Sequence, residues 1–151
     1  MTRPALGLDV GERRVGVAVS DPERRLAVPL RSVGRDGAIE ALAVLAREYE
    51  VADVVVGLPL TLRGEAGPQA ESASAFAREL ERRLRLPVHL WDERLSTQEA
   101  QRRVLAPSKR RGRRQPRPAR EADTDALAAS IILQAYLDRQ RLAQSGEEVS
   151  F

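Results

Sequence analysis

The sequence predicts an α/β domain built on a five-stranded mixed sheet with helices on both faces. Three observations carry that prediction. Three short β-like runs follow one another near the amino terminus, separated by brief polar turns. A continuous β-branched run, ADVVVGL, occupies 52–58, the signature of a strand covered on both faces. From there on, strand-like and helix-like stretches alternate, so the later strands are joined through crossovers and should run parallel. The 151 residues suffice for one core, expected over 1–144, with 145–151 a frayed tail.

Each element follows from local pattern. ALGLDV (5–10) and RVGVAVS (14–20) flank the turn Gly11-Glu12-Arg13, and LAVPLRSV (26–33) follows Asp21-Pro22, which together read as an antiparallel meander. Over 36–50 the spacing becomes helical, with Ile39, Leu42, Ala43, Ala46 and Tyr49 on one face. Gly57-Leu58-Pro59 closes the central strand. A second helix is predicted over 69–85 from the stripe Ala73, Phe76, Ala77, Leu80 and Leu84, and Pro87 stops it before the last strand, VHLWD (88–92). Ser96 and Glu99 form a capping-box pair for a helix over 97–106, ended by Pro107. The stretch 107–120 is proline-rich and predicted to be a mobile loop. A last helix is expected over 124–142.

Composition narrows the chemistry. With no cysteine there is no disulfide, thiolate metal site or cysteine nucleophile. The single histidine, His89, leaves little room for a zinc site or a Ser-His-Asp triad. Only five residues are aromatic (Tyr49, Phe76, Trp91, Tyr136, Phe151), so the core must be aliphatic. No apolar run approaches the roughly 18 residues of a membrane span, and the amino terminus lacks a signal-like segment, so a soluble cytoplasmic protein is expected. The net charge of +3 is unevenly distributed. Lys109, Arg110, Arg111, Arg113, Arg114, Arg117 and Arg120 form a basic island with no acid among them; without those seven charges the rest of the chain carries −4. Such an island suggests phosphate-backbone contact, and without an aromatic in it the contact should be largely independent of base sequence.

Acid-base or metal chemistry therefore falls to carboxylates. Asp9 lies inside an apolar strand, on the face of Gly7 and opposite Leu6 and Leu8, where a charge needs a partner or a metal. It could equally bond a turn amide at the strand end. Asp92 and Glu93 follow a strand at its carboxyl end; one can point into a site while the other faces out, and spacing alone does not say which. Arg94 offers either an ordinary salt partner. Asp125 continues the apolar stripe of the last helix (Ala128, Ala129, Ile132, Tyr136), which aims it at the sheet. A first-turn acid would also stabilise the helix dipole, but Glu121 and Asp123 can do so from more exposed positions. Three convergent carboxylates carry −3 and call for hard divalent cations, two Mg²⁺ or Mn²⁺ ions, with which phosphodiester hydrolysis needs no side-chain nucleophile.

These pieces together resemble the YqgF/RuvX family of Holliday junction resolvases or pre-16S rRNA nucleases. LGLDVGERRVGVAVSD (6–21) is similar to the family's opening Asp motif, VVVGLPLTLRGEAG (54–67) to its Gly-Leu-Pro loop, WDERLST (91–97) to its Asp-Glu-Arg motif, and DALAASIILQAYL (125–137) to its carboxyl-terminal helix. One departure is Thr61, where many relatives place Asn. The resemblance implies a ribonuclease H-like fold and metal-binding roles for Asp9, Glu93 and Asp125, choosing Glu93 over Asp92. It implies a metal-dependent nuclease acting on precursor rRNA or on branched or single-stranded DNA, as a monomer or homodimer. The first motif also resembles the phosphate-binding hairpin of actin- and sugar-kinase-like ATPases, but these close two domains over a nucleotide and this chain supplies one. A non-catalytic ribosome-assembly factor is the remaining alternative, although a pure polyanion binder gains nothing from three converging negative charges.

Overall fold

The computed structural model describes residues 2–61, 63–95 and 124–149, the last five as backbone only. Five strands form one sheet in the order β3-β2-β1-β4-β5. Strands β1 (Ala5–Val10), β2 (Arg14–Ser20) and β3 (Ala27–Gly34) make the antiparallel meander. Strands β4 (Asp53–Leu58) and β5 (Val88–Asp92) then add in parallel to β1. The crossovers are α1 (Ala38–Tyr49), between β3 and β4, and α2 (Pro68–Leu84), between β4 and β5. Helix α3 (Thr124–Val149) covers the other face. The sheet is thus mixed, with helices on both sides, as its pattern predicts.

Strand alternation gives the two faces different sizes of side chain. Leu6, Leu8, Val15, Val17, Val54 and Val56 point towards α1 and α2, where they meet Leu42, Leu45, Phe76 and Leu80 in the larger core. The opposite face carries Ala5, Ala18 and Val55, and α3 packs on it through Ala129, Ile132, Leu133 and Leu137. Small residues there let the helix lie close: a Cβ on Gly7 would stand 2.6 Å from that of Leu133.

Local boundaries move where packing overrides spacing. Gly57, expected to close its strand, lies inside β4 and pairs with Trp91. The buried stripe of α3 runs through Ala126, Ala129, Ile132, Leu133 and Leu137, broader than expected, while Ala128 is only half-buried. That helix also continues to Val149, past residue 142 and through the stretch expected to fray. The predicted 97–106 helix, its Ser96/Glu99 cap and the basic loop lie outside the described residues.

The amino-terminal end of the parallel strands is locked by a polar cluster. Arg24 donates to both carboxylate oxygens of Asp53, at 2.9 and 3.2 Å, and to Gln140 of α3 at 3.2 Å. His89 Nε2 lies 3.1 Å from Asp53 Oδ2, and its ring stacks on Tyr136 at 5.5 Å. The one histidine is therefore a structural tie between β4, β5 and α3.

Candidate active site

The three predicted carboxylates gather at the carboxyl end of the parallel strands, on the face covered by α3. Asp9, next to last in β1, alternates onto that face with Gly7 and pairs in register with Gly16. Asp125 stands in the first turn of α3, directly over β2, because Gly16 has no side chain: a Cβ there would run into the backbone carbonyl of Asp125. Glu93 follows β5, where residues 93–95 turn helical, and folds back across β4. Gly57 makes that possible, since a Cβ on it would lie 2.6 Å from Glu93 Oε2 and 2.7 Å from Ile132 Cδ1. The floor under the carboxylates is thus two glycines on neighbouring sides of β1.

Burial and mutual repulsion set the electrostatics. Removal from water, and then the charge of Asp125, raises the Asp9 carboxyl above its ordinary range. Glu93 is pushed up to about 7, first by burial and then by the charges of Asp9 and Asp92. Asp125 is engaged differently: Arg14 Nε donates to its Oδ2 at 2.6 Å. In this arrangement the carboxylates do not close on a common point, and no group of three His, Cys, Asp or Glu among the described residues is assembled as a finished metal cage. The donor set nonetheless fits a hard divalent cation. All the donors are carboxylate oxygens, and a cation would relieve the repulsion that, after burial, raises Asp9 and Glu93.

Asp92 and Glu93, which spacing left equivalent, have opposite surroundings. The backbone N–H of Arg94 donates to Asp92 Oδ1 at 3.0 Å, and its guanidinium adds bonds of 3.0, 3.1 and 2.6 Å. Those guanidinium bonds, foremost, hold the Asp92 carboxyl below the usual range despite partial desolvation. Asp92 is therefore a satisfied ion-pair partner, whereas Glu93 is the desolvated carboxylate beside Asp9. Arg94 also reaches the 58–67 loop, where a Cβ on Gly64 would lie 3.3 Å from its Nη1. In the same loop Thr61 Oγ1 accepts the N–H of Glu65 at 3.1 Å, and the Thr61 carbonyl accepts that of Gly64 at 2.8 Å. Thr61 is thus a turn-closing residue.

Two features escaped sequence reading. In the sequence Gly57 reads only as part of a strand stop and Gly16 has no assigned role, yet they create the space for Asp125 and Glu93. Their position on the same alternating face as Asp9 was the available signal. Arg14, the first residue of the RVGVAVS run, likewise has no assigned role there, although the same alternation puts it on the site face. The seven basic residues, Lys109 to Arg120, lie outside the described residues, so their distance from the carboxylates is not part of this geometry.

Comparison with known proteins agrees with this architecture. A protein of Roseiflexus sp. (strain RS-1), named "Putative pre-16S rRNA nuclease", is 46% identical over 143 residues, covering 90% of this chain and 94% of that protein. A protein of the same name from Moorella thermoacetica is 46% identical over 145 residues, covering 93% and 97%. Among solved structures, T. thermophilus RuvC in complex with a Holliday junction substrate superposes with a TM-score of 0.57 at 19% identity, over 91% of this chain and 96% of that one. The fowlpox virus Holliday junction resolvase gives 0.51 at 11% identity, over 90% and 99%. At such identities these two likenesses establish the fold, which is ribonuclease H-like. Residues 3–139 match the family described as RuvX, Holliday junction resolvase, and the chain belongs to that family.

Proposed function

We propose that the chain is a divalent-metal-dependent nuclease whose metal ligands are Asp9, Glu93 and Asp125, and that its substrate is the 5′ end of precursor 16S rRNA. The observation that carries this reading is the gathering of three carboxylates on one face at the carboxyl end of β1, β4 and β5. There Glu93 is pushed up to about 7, first by burial and then by the neighbouring charges of Asp9 and Asp92. A fold gains no stability from desolvating acids beside one another, so the arrangement is best accounted for by a cation. Two bound Mg²⁺ or Mn²⁺ ions would supply Lewis-acid activation of the attacking water and stabilisation of the leaving 3′ oxygen. The chain's own residues do the rest. Gly16 and Gly57 let the carboxylates approach, Arg94 fixes Asp92 out of the way, and Lys109, Arg110, Arg111, Arg113, Arg114, Arg117 and Arg120 hold the substrate backbone.

The rRNA substrate is supported by the shared name of relatives at 46% identity. A second reading, cleavage of branched DNA, is favoured by the family's description as a Holliday junction resolvase. A side-by-side cleavage assay with Mg²⁺ and Mn²⁺ separates them, using precursor-like rRNA ends, single-stranded RNA, single-stranded DNA and a four-way junction. Preferential cleavage of the precursor end is expected; preference for the junction would transfer the assignment to DNA. Absence of metal-dependent cleavage on all four would remove the nuclease reading.

A further inference from the structure

We propose that Arg14 is a two-position residue of this site: it holds Asp125 while metal is absent and binds the substrate phosphate next to the scissile bond once metal is in place. The proposal rests on the reading of Asp125 as a metal ligand. Arg14 opens β2, and alternation with Gly16 and Ala18 sends its side chain onto the face where Asp9 and Asp125 lie. Its Nε is 2.6 Å from Asp125 Oδ2, yet the Arg14 side chain is 63% exposed against 29% for Asp125. Among the described residues this is the one hydrogen bond its guanidinium makes, a single bond from Nε rather than the paired fork that arginine forms with a committed carboxylate partner.

A single contact from so exposed a side chain costs little to break. A divalent ion reaching Asp125 would repel the guanidinium next to it, and the exposed side chain can leave towards solvent without losing packing. That places a cation with five fork-arranged N–H donors at the rim of the site when the polyanion arrives. The exchange keeps charge compensated at each stage: Asp125 by Arg14 before loading, Asp125 by metal afterwards, and the incoming phosphate by Arg14. A purely structural ion pair would instead be expected on a better-buried side chain, such as Arg24, which grips Asp53 with two nitrogens while only 17% exposed.

The test compares the wild type with Arg14→Gln, Arg14→Lys and Asp125→Asn. Mn²⁺ binding to the substrate-free proteins is read by electron paramagnetic resonance of the free ion. Single-turnover cleavage of a precursor-like rRNA end is read at saturating Mn²⁺. Arg14→Gln should bind Mn²⁺ about two- to fivefold more tightly, the span of an exposed ion pair, yet cleave at least about tenfold more slowly. Arg14→Lys should keep wild-type Mn²⁺ affinity and recover part of the cleavage, as a point charge replacing a fork. Unchanged Mn²⁺ affinity or unchanged cleavage in Arg14→Gln overturns the proposal. If Asp125→Asn binds Mn²⁺ as well as wild type, the metal-site reading fails and takes this one with it. If Asp125→Asn loses Mn²⁺ while Arg14→Gln is neutral, the exchange role alone falls.

Discussion

Glu93→Gln should make the metal-free protein more stable while destroying its activity. The side chain keeps its shape and loses the charge that burial and Asp9 oppose. At about 1.36 kcal/mol per pH unit, the rise of Glu93 from 4.5 to about 7 corresponds to at most about 3.4 kcal/mol of folding free energy. Glu93 is only partly buried, so solvent screening should reduce this to about 1–2 kcal/mol. The sign follows from proton binding. Between pH 4.5 and about 7 the folded wild type binds more protons at Glu93 than the unfolded chain does, so its stability falls as pH rises through that window and the loss is complete above it. The glutamine variant has no such loss. With a chelator present, the Tm difference between variant and wild type should be small at pH 5 and reach about 3–6 °C at pH 8, for a chain of this length. Thermal melts by circular dichroism at the two pH values measure it. Added Mn²⁺ should then raise the wild-type Tm and leave the variant nearly unmoved. A variant no more stable than wild type at pH 8 without metal would refute the claim that Glu93 is held charged against its surroundings.

Gly57→Ala places a methyl 2.6 Å from Glu93 Oε2 and 2.7 Å from Ile132 Cδ1, both ends of flexible side chains. Stability should therefore fall by only about 1 kcal/mol in urea titration, while misplacing Glu93 should slow cleavage about 100-fold; near-normal cleavage would contradict the floor role of Gly57. Asp92→Asn, which breaks the Arg94 pair and removes a charge near Glu93 but no proposed metal ligand, should retain Mn²⁺-dependent cleavage within about threefold, since losing a partly exposed pair costs roughly 1 kcal/mol or less. Neutralising all seven basic residues from Lys109 to Arg120 should weaken substrate binding and flatten its salt dependence. On a single strand the log–log slope would lose about 5 units at roughly 0.7 per contact, and an unchanged slope in filter binding would remove the loop from the interface.

Much of this was legible because sheet alternation and helical spacing are strong constraints. The face of Asp9 followed from its apolar neighbours, and the inward aim of Asp125 from its place on the helix stripe. What spacing could not separate was Asp92 from Glu93. Consecutive residues at a strand end are equivalent until something distant distinguishes them, and here Arg94 takes one while the space over Gly57 admits the other. That space is a property of three strands and a helix packed together, invisible in any local window. Arg14 was unread for the same reason: its partner lies 111 residues away in sequence. Neither the bend that sends Glu93 back over β4 nor the close seat of α3 on Gly16 leaves a periodic trace.

The central claim is that Asp9, Glu93 and Asp125 together hold the metal that cleaves the phosphodiester. It is tested most directly by measuring Mn²⁺-dependent cleavage of a precursor-like rRNA end by Asp9→Asn, Glu93→Gln and Asp125→Asn, each first shown to melt cooperatively. The account predicts that all three are folded and none cleaves above background at any Mn²⁺ concentration. Full activity in any one of them would contradict the three-carboxylate site.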